Sequence, residues 1–196
     1  MFANRFTAIV DACSLASALK RNLLLTLAEA EFYRLRWSAP ILDETERAIE
    51  RILTGKGVPD ASDRAKKART NMETAFEEAR VADFDALLPA CSGLPDPKDA
   101  HVVAAALKTQ AAMIVTENQK DFPEDLLAPL NIEVSSADAF IADTLALDIG
   151  RGVAAVRRMR ERFKLPAMTA ETLLLEMEAQ GLIDTVDILR PHVQSL

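Results

Sequence analysis

Glycine is scarce in this 196-residue chain, with six in all, and no Gly-x-Ser-x-Gly, Walker A or Gly-x-Gly-x-x-Gly run occurs. Loops that cradle nucleotide phosphates or expose a serine nucleophile are therefore poorly supported. Cysteine is scarcer still. Cys13 and Cys91 stand in different sequence settings with no partner at ligand spacing, which excludes a disulfide framework and suits a reducing cytosol. Both read as small buried apolar residues. Basic residues are in deficit: 23 Lys and Arg against 30 Asp and Glu give a net charge of −7. That balance argues against a broad, sequence-independent grip on nucleic acid, though not against a site made of carboxylates awaiting cations. Aromatic residues are only 5%, so helices should outnumber strands. The longest apolar run, from Leu23 to Ala28, is far below the ~18 residues of a membrane span. Met1–Arg5 leads into an apolar stretch that meets Asp11 too soon for a secretory signal. A soluble, cytoplasmic protein with no membrane partner is expected.

The length suits one ordinary domain with a small appendage. Phe6 to Val10 is a compact apolar run that reads as a buried strand ending at Asp11. Ser14 to Leu27 has helical periodicity, and Glu29 to Leu35 reads as its amphipathic continuation. Ser38-Ala39-Pro40 opens a helix with Asp43, Glu44 and Glu46 in its early turns, which stops at Gly55–Pro59. Ala61 to Ala79 reads as a charged helix with an apolar stripe at Ala65, Ala68, Met72, Ala75, Phe76 and Ala79. Beyond Ser92–Pro95 come an apolar helix from Asp99 to Thr109 and strands at Ala112–Thr116 and Ile132–Val134. Buried strands alternating with helices predict an α/β fold with a parallel sheet. After Ser136 the texture becomes wholly helical: Ala137–Leu147, Arg151–Phe163, Thr169–Gln180 and Ile183–Leu189, separated by Gly150, Leu165-Pro166 and Gly181. The expected division is a domain at 1–135 and a small all-helical C-terminal extension at 136–196.

The acids fall at informative places. Asp11 closes the first strand at its carboxyl edge, where open α/β sheets bind ligands. Asp96 and Asp99 lie in the loop that opens the apolar helix. Asn118 and Asp121 follow the strand ending at Thr116, and Glu44 sits on a helix able to pack across the same rim. Like charges gathered there repel unless a cation joins them. An oxygen-only donor set selects a hard ion, Mg²⁺ or Mn²⁺, which acts on phosphates by positioning water and stabilising an in-line displacement. Taken singly, Asp99 reads as a helix N-cap, Glu44 as a first-turn acid and Asp121 as a turn former. Asp11 has no evident structural use, so a functional reading is preferred there. Ser14 and Thr116 lie beside these acids, where a hydroxyl could hold a phosphate or cap a helix. His101, on the face of a helix, reads as a packed or solvated residue. A haloacid-dehalogenase-like site would need an acid at position 13, which is Cys, and the adjacent acid pair of a phosphorelay receiver is missing.

In order along the chain, four segments resemble the motifs of PIN-domain ribonucleases, in the branch of the VapC-like toxins. They are Thr7-Ala8-Ile9-Val10-Asp11-Ala12, Trp37-Ser38-Ala39-Pro40-Ile41-Leu42-Asp43-Glu44, Leu94-Pro95-Asp96-Pro97-Lys98-Asp99-Ala100-His101-Val102 and Ile114-Val115-Thr116-Glu117-Asn118-Gln119-Lys120-Asp121-Phe122. The helical tail resembles the C-terminal extension of some members. The resemblance implies a three-layer α/β/α PIN-like domain and a Mg²⁺- or Mn²⁺-dependent endoribonuclease, the toxin of a toxin–antitoxin pair with an antitoxin protein as partner. It places Asp11, Glu44, Asp99 and Asp121 in the catalytic set, with Asp11, Asp99 and Asp121 as metal ligands. Asp96, Thr116, Asn118 and Ser14 fall in accessory positions. Asn118 stands where many PIN proteins carry an aspartate, which puts the weight on Asp121. Glu46, on the same helix, is the alternative to Glu44. The competing reading is a PIN-fold module without catalysis, serving in binding or assembly.

Two expectations concern surfaces. Leu23, Leu24, Leu27 and Phe32 present more apolar surface than the sheet can obviously bury, which points either to a homodimer or partner helix or simply to core. Arg151, Arg157, Arg158, Arg160, Arg162 and Lys164 concentrate positive charge against the single acid Glu161. Val153, Val156, Met159 and Phe163 should face the domain, leaving Arg157, Arg158 and Arg160 either as RNA phosphate contacts or as an ordinary solvated face.

Overall fold

The computed structural model describes residues 6–164 and 167–196. Within them, β1 (Thr7–Val10), β2 (Arg34–Ser38), β3 (Arg80–Val81), β4 (Met113–Val115) and β5 (Glu133–Ser135) form one parallel sheet in the order β3-β2-β1-β4-β5. β1 is central, and Ala8, Ile9 and Val10 have no exposure. A parallel strand covered on both faces needs such a continuous apolar run. Helices α1 (Ala12–Ala16), α2 (Ala18–Glu29), α3 (Ala39–Gly55), α4 (Ala61–Ala75), α5 (Ala100–Thr109) and the short α6 (Glu124–Leu127) flank the sheet. The result is the three-layer α/β/α arrangement. The C-terminal region is helical, with α7 (Ala137–Leu147), α8 (Ile149–Glu161), α9 (Ala170–Ala179) and α10 (Ile183–Leu189).

Several elements depart from the sequence reading. The first helical stretch breaks at Ser17, whose hydroxyl accepts the Lys20 N–H and caps α2. The helix does not continue to Leu35. Glu31 turns the chain with a φ of 58°, and Arg34–Ser38 becomes a strand beside β1. Phe32 and Leu35 mimic a helical i,i+3 pair, but Arg34-Leu35-Arg36-Trp37 alternates with period two, and Leu35 and Trp37 are the buried members. The charged helix ends at Ala75; residues 77–79 form a 3₁₀ turn that leads into the two-residue edge strand β3. The Leu165-Pro166 breaker and Met1–Arg5 lie outside the described residues.

The apolar face of α2 is already covered, so of the two readings of that surface the core reading holds there. Leu23, Leu24 and Leu27 have no exposure and Phe32 only 6%, because α7 and α8 of the same chain pack against α2. Phe140 of α7 meets Tyr33 edge-on at 4.9 Å and stacks on Phe6 at 6.3 Å. Arg151 of α8 lies 4.5 Å over the Phe32 ring and donates to the Ala30 carbonyl. The close approach of α8 to α7 needs Gly152, where a Cβ would stand 2.7 Å from Leu145 Cδ2. Asp138 accepts the N–H groups of Asp184 and Thr185, both at 2.9 Å, and so ties α10 onto α7. Val153, Val156 and Met159 are buried, as their spacing suggested. Among the described residues no helix is long and apolar enough to cross a membrane.

If the extension shares the domain's core, Phe140→Ala should cost about 3–5 kcal/mol and lower Tm by roughly 10 °C. A change below about 2 °C in thermal unfolding followed by circular dichroism would show that α7 adds little to that core.

Candidate functional site

Helices that connect parallel strands run back against them, so α3 and α5 begin at the rim where β1, β2 and β4 end. The ladder extends one residue past β1, since the Asp11 N–H donates to the Val115 carbonyl at 3.0 Å. Val10 pairs with Val115, so the next residues, Asp11 and Thr116, stand side by side. Thr116 Oγ1 donates to Asp11 Oδ2 at 2.8 Å, and Cys13 Sγ donates to the same oxygen at 3.1 Å. Asp11 Oδ1 accepts the Ala12 N–H at 2.7 Å.

Two aspartates exchange the roles that the sequence suggested. Asp11, for which no structural use was foreseen, is the N-cap of α1 and is buried, with 9% exposure. A strand that passes at once into a helix leaves an acid at the junction to satisfy the first free amide. Asp99 was the expected N-cap, yet its side chain caps nothing. The 3₁₀ turn Pro97–Asp99 runs straight into α5, so Asp99 is already helical (φ −78°, ψ −4°). Capping needs an extended backbone, which Asp96 has (φ −108°, ψ 111°), and its Oδ1 accepts the Lys98 N–H at 2.9 Å. The Asp99 carboxyl makes no hydrogen bond or ion pair among the described residues.

Asp99 is correspondingly perturbed. Burial, and then the charges of Asp11, Asp96, Asp121 and Glu44, raise its pKa from the ordinary 3.8 to about 6. Asp11, Asp96, Asp121 and Glu44 thus act on one group. Glu44 Oε1 lies 3.4 Å from His101 Nε2, at the start of α5. Glu46 turns away to Arg69 at 3.1 Å, in a cluster with Asp43 and Glu73 against α4. Of the two glutamates, Glu44 is the one beside the rim. Asn118 donates through its amide to Asp121 Oδ2, and its N–H donates to Thr116 Oγ1 at 3.1 Å. Ser14 does not reach the rim. It has no exposure, and its hydroxyl donates inward to the Val115 carbonyl at 3.3 Å.

As placed, no three His, Cys, Asp or Glu side chains among the described residues stand close enough to hold a metal ion. The chemistry of the donor set nevertheless fits a hard divalent cation. Every charge that acts on Asp99 is a carboxylate, and a cation is what relieves such repulsion. Two concavities elsewhere, about 620 Å³ between α2, α4 and α8 and about 850 Å³ beside β5, are lined by none of these acids.

Sequence reasoning missed Cys13. Read as a buried apolar residue, it instead bonds Asp11 Oδ2, lies 3.1 Å from Thr116 Oγ1 and accepts the Glu117 N–H at 3.1 Å. Burial, with the charge of Asp11 behind it, pushes the thiol up to about 11. The signal was its place two residues after Asp11, in the first turn of α1. The basic stretch of α8 is mostly engaged within the chain. Arg157 pairs with Glu161 at 2.9 Å, Arg160 donates to the Met168 carbonyl at 2.7 Å, and Arg162 pairs with Glu29 at 2.8 Å. Arg158 is exposed and makes no such bond among the described residues.

An acid whose pKa is raised on folding weakens the fold once ionised, so this penalty is absent below about pH 4 and complete above about pH 6. Asp99→Asn should therefore raise Tm at pH 7.5 by roughly 2–4 °C, the effect of ~1 kcal/mol after solvent screening, and lose that advantage at pH 4. An equal Tm difference at both pH values would show that charge is not its cause.

Residues 7–120 match the family model of the PIN domain, and residues 137–191 match that of the VapC50 C-terminal domain. Over 77 residues the chain is 39% identical to "Putative ribonuclease VapC50" of Mycobacterium tuberculosis (strain ATCC 25618 / H37Rv). That match takes in 39% of this chain and 46% of the relative, so it spans just under half of the relative's length. No solved structure matches. With the PIN model covering more than half of the sequence and the second model covering α7 to α10, the chain belongs to the PIN-domain family, in its VapC-like branch with a C-terminal extension.

Proposed function

We propose that this protein is a divalent-metal-dependent endoribonuclease, using Mg²⁺ or Mn²⁺ to hydrolyse RNA phosphodiester bonds, and the toxin member of a toxin–antitoxin pair. The observation that carries this reading is Asp99, a half-buried carboxyl with no bonding partner among the described residues, set among four other acids. The ribonuclease named among its relatives supports the same substrate class. Residues 1–135 serve as the nuclease domain and 136–196 as the helical extension that closes its α2 face. The reducing cytoplasm suits its two free thiols.

In this reading Asp11, Asp99 and Asp121 hold the cation. When bound, it supplies charge stabilisation to an in-line displacement at phosphorus. Glu44 would complete the metal's ligand set or orient a water, and His101 Nε2 stands 3.4 Å from its Oε1. Thr116 fixes Asp11, and Asn118 fixes Asp121 through its side-chain amide. Asp96 shapes the turn that frees Asp99 from capping. Arg157 and Arg158, exposed on α8, offer contacts to RNA phosphates, whereas Arg160 is held by the Met168 carbonyl.

Cleavage of a single-stranded RNA by the purified chain, with Mg²⁺ or Mn²⁺ and with EDTA, tests the reading. Asp11→Asn and Asp99→Asn should each lower the metal-dependent rate by on the order of a hundredfold or more while the chain stays folded. Glu44→Gln should also impair cleavage. Glu46→Gln should leave the rate intact and cost only the Arg69 pair, worth roughly 0.2–1 kcal/mol. No metal-dependent cleavage by the wild-type chain, or equal rates in all variants, would favour the non-catalytic binding or assembly module.

A further inference from the structure

We propose that Cys13 is a positioning residue for the metal-binding carboxylates. This inference rests on the metal-site reading above and adds a residue to it. The Cys13 sulfur joins the end of β1 to the segment that follows β4. It donates to Asp11 Oδ2 at 3.1 Å, stands 3.1 Å from Thr116 Oγ1 and accepts the Glu117 N–H at 3.1 Å. Thr116 and Glu117 open the loop that carries Asn118 and Asp121. One side chain on α1 thereby touches the first acid directly and the segment bearing the last acid through its backbone.

The physical need for such a residue lies in the aspartate side chain. The χ2 torsion of an aspartate is broad, so an isolated carboxylate swings freely about its last bond. A cation bound by several carboxylates needs each of them held in one orientation before it arrives. Oδ1 of Asp11 is fixed by the Ala12 amide, and Oδ2 receives two donors, Thr116 and Cys13. Those donors come from the residue after β4 and from α1 and approach one oxygen, which sets the plane of the group. The Glu117 end of the network is anchored in its turn. Glu117 Oε2 is 2.7 Å from Lys20 Nζ on α2, and Oε1 accepts the Ala137 N–H at 3.1 Å at the start of α7. The amide that Cys13 accepts therefore belongs to a residue held by both α2 and the C-terminal extension.

The test is Mn²⁺ binding to the full chain, read from the electron paramagnetic resonance signal of free Mn²⁺ and so independent of RNA cleavage. Cys13→Ala should weaken Mn²⁺ binding by about tenfold, the cost typical of losing a group that orients a ligand. Cys13→Ser keeps a donor and an acceptor and should bind within about threefold of the wild type. Cys13→Val fills the space without a hydrogen bond and should behave like Cys13→Ala; it decides the matter if the alanine variant does not fold. Mn²⁺ binding by folded Cys13→Ala or Cys13→Val equal to the wild type would overturn the proposal. So would a serine variant as weak as the alanine, which would leave Cys13 a packing role. Absence of Mn²⁺ binding by the wild-type chain would overturn the metal site itself, and Cys13's role with it.

Discussion

Repulsion among carboxylates is the constraint on which the rest of the structure turns. Asp11, Glu44, Asp96 and Asp121 all act on Asp99, and its partial burial adds to their effect. The arrangement follows from the backbone. β1 ends at Asp11, β4 ends just before Thr116, and α5 begins just after Asp99 on the same rim. A parallel sheet assembled from apolar strands delivers these groups to one place whether or not their charges are welcome there. Arg69, Lys20 and Arg162 answer other acids, namely Asp43 and Glu46, Glu117, and Glu29. Among the described residues no cation pairs with Asp99, and the proposed function assigns that place to a divalent metal.

The individual acids meet this constraint differently. Asp11 is pinned by three hydrogen bonds and caps α1, so it has both a local structural use and a place in the candidate site. Asp99 is free because Asp96 has taken the cap one turn earlier. Among the described residues, the Asp121 carboxylate is held by the amide of Asn118 alone. A neutral amide at position 118 adds no charge to the cluster and donates a hydrogen bond that an aspartate there could not.

Much of this was legible in the sequence, and the failures have physical causes. The apolar run before Asp11, the Ser38 cap with Pro40, and α10 from Ile183 to Leu189 followed from periodicity and capping rules. β2 was not recognised because Phe32 and Leu35 repeat at a helical interval while the decisive alternation spans only four residues. β3, two residues long, is a strand only because β2 lies beside it. The candidate acids were found by their positions at strand ends, but which one caps and which one stays free depends on φ and ψ at Asp96 and Asp99. Cys13 escaped because a lone thiol is weighed for packing and not for the hydrogen bonds that its place two residues after Asp11 allows. The apolar face of α2 was correctly seen as too large for the sheet, yet what covers it is the chain's own extension, through Phe140 and Arg151.

Sheet, caps and hydrogen bonds together gather the carboxylates that the proposed function assigns to a hard cation. Calorimetric titration of Mn²⁺ into the wild-type chain and into Asp99→Asn at pH 7.5 tests that assignment most directly. Saturable binding by the wild type is expected, and binding weaker by at least about tenfold in the variant. Equal binding by the two proteins, or none by either, would contradict it.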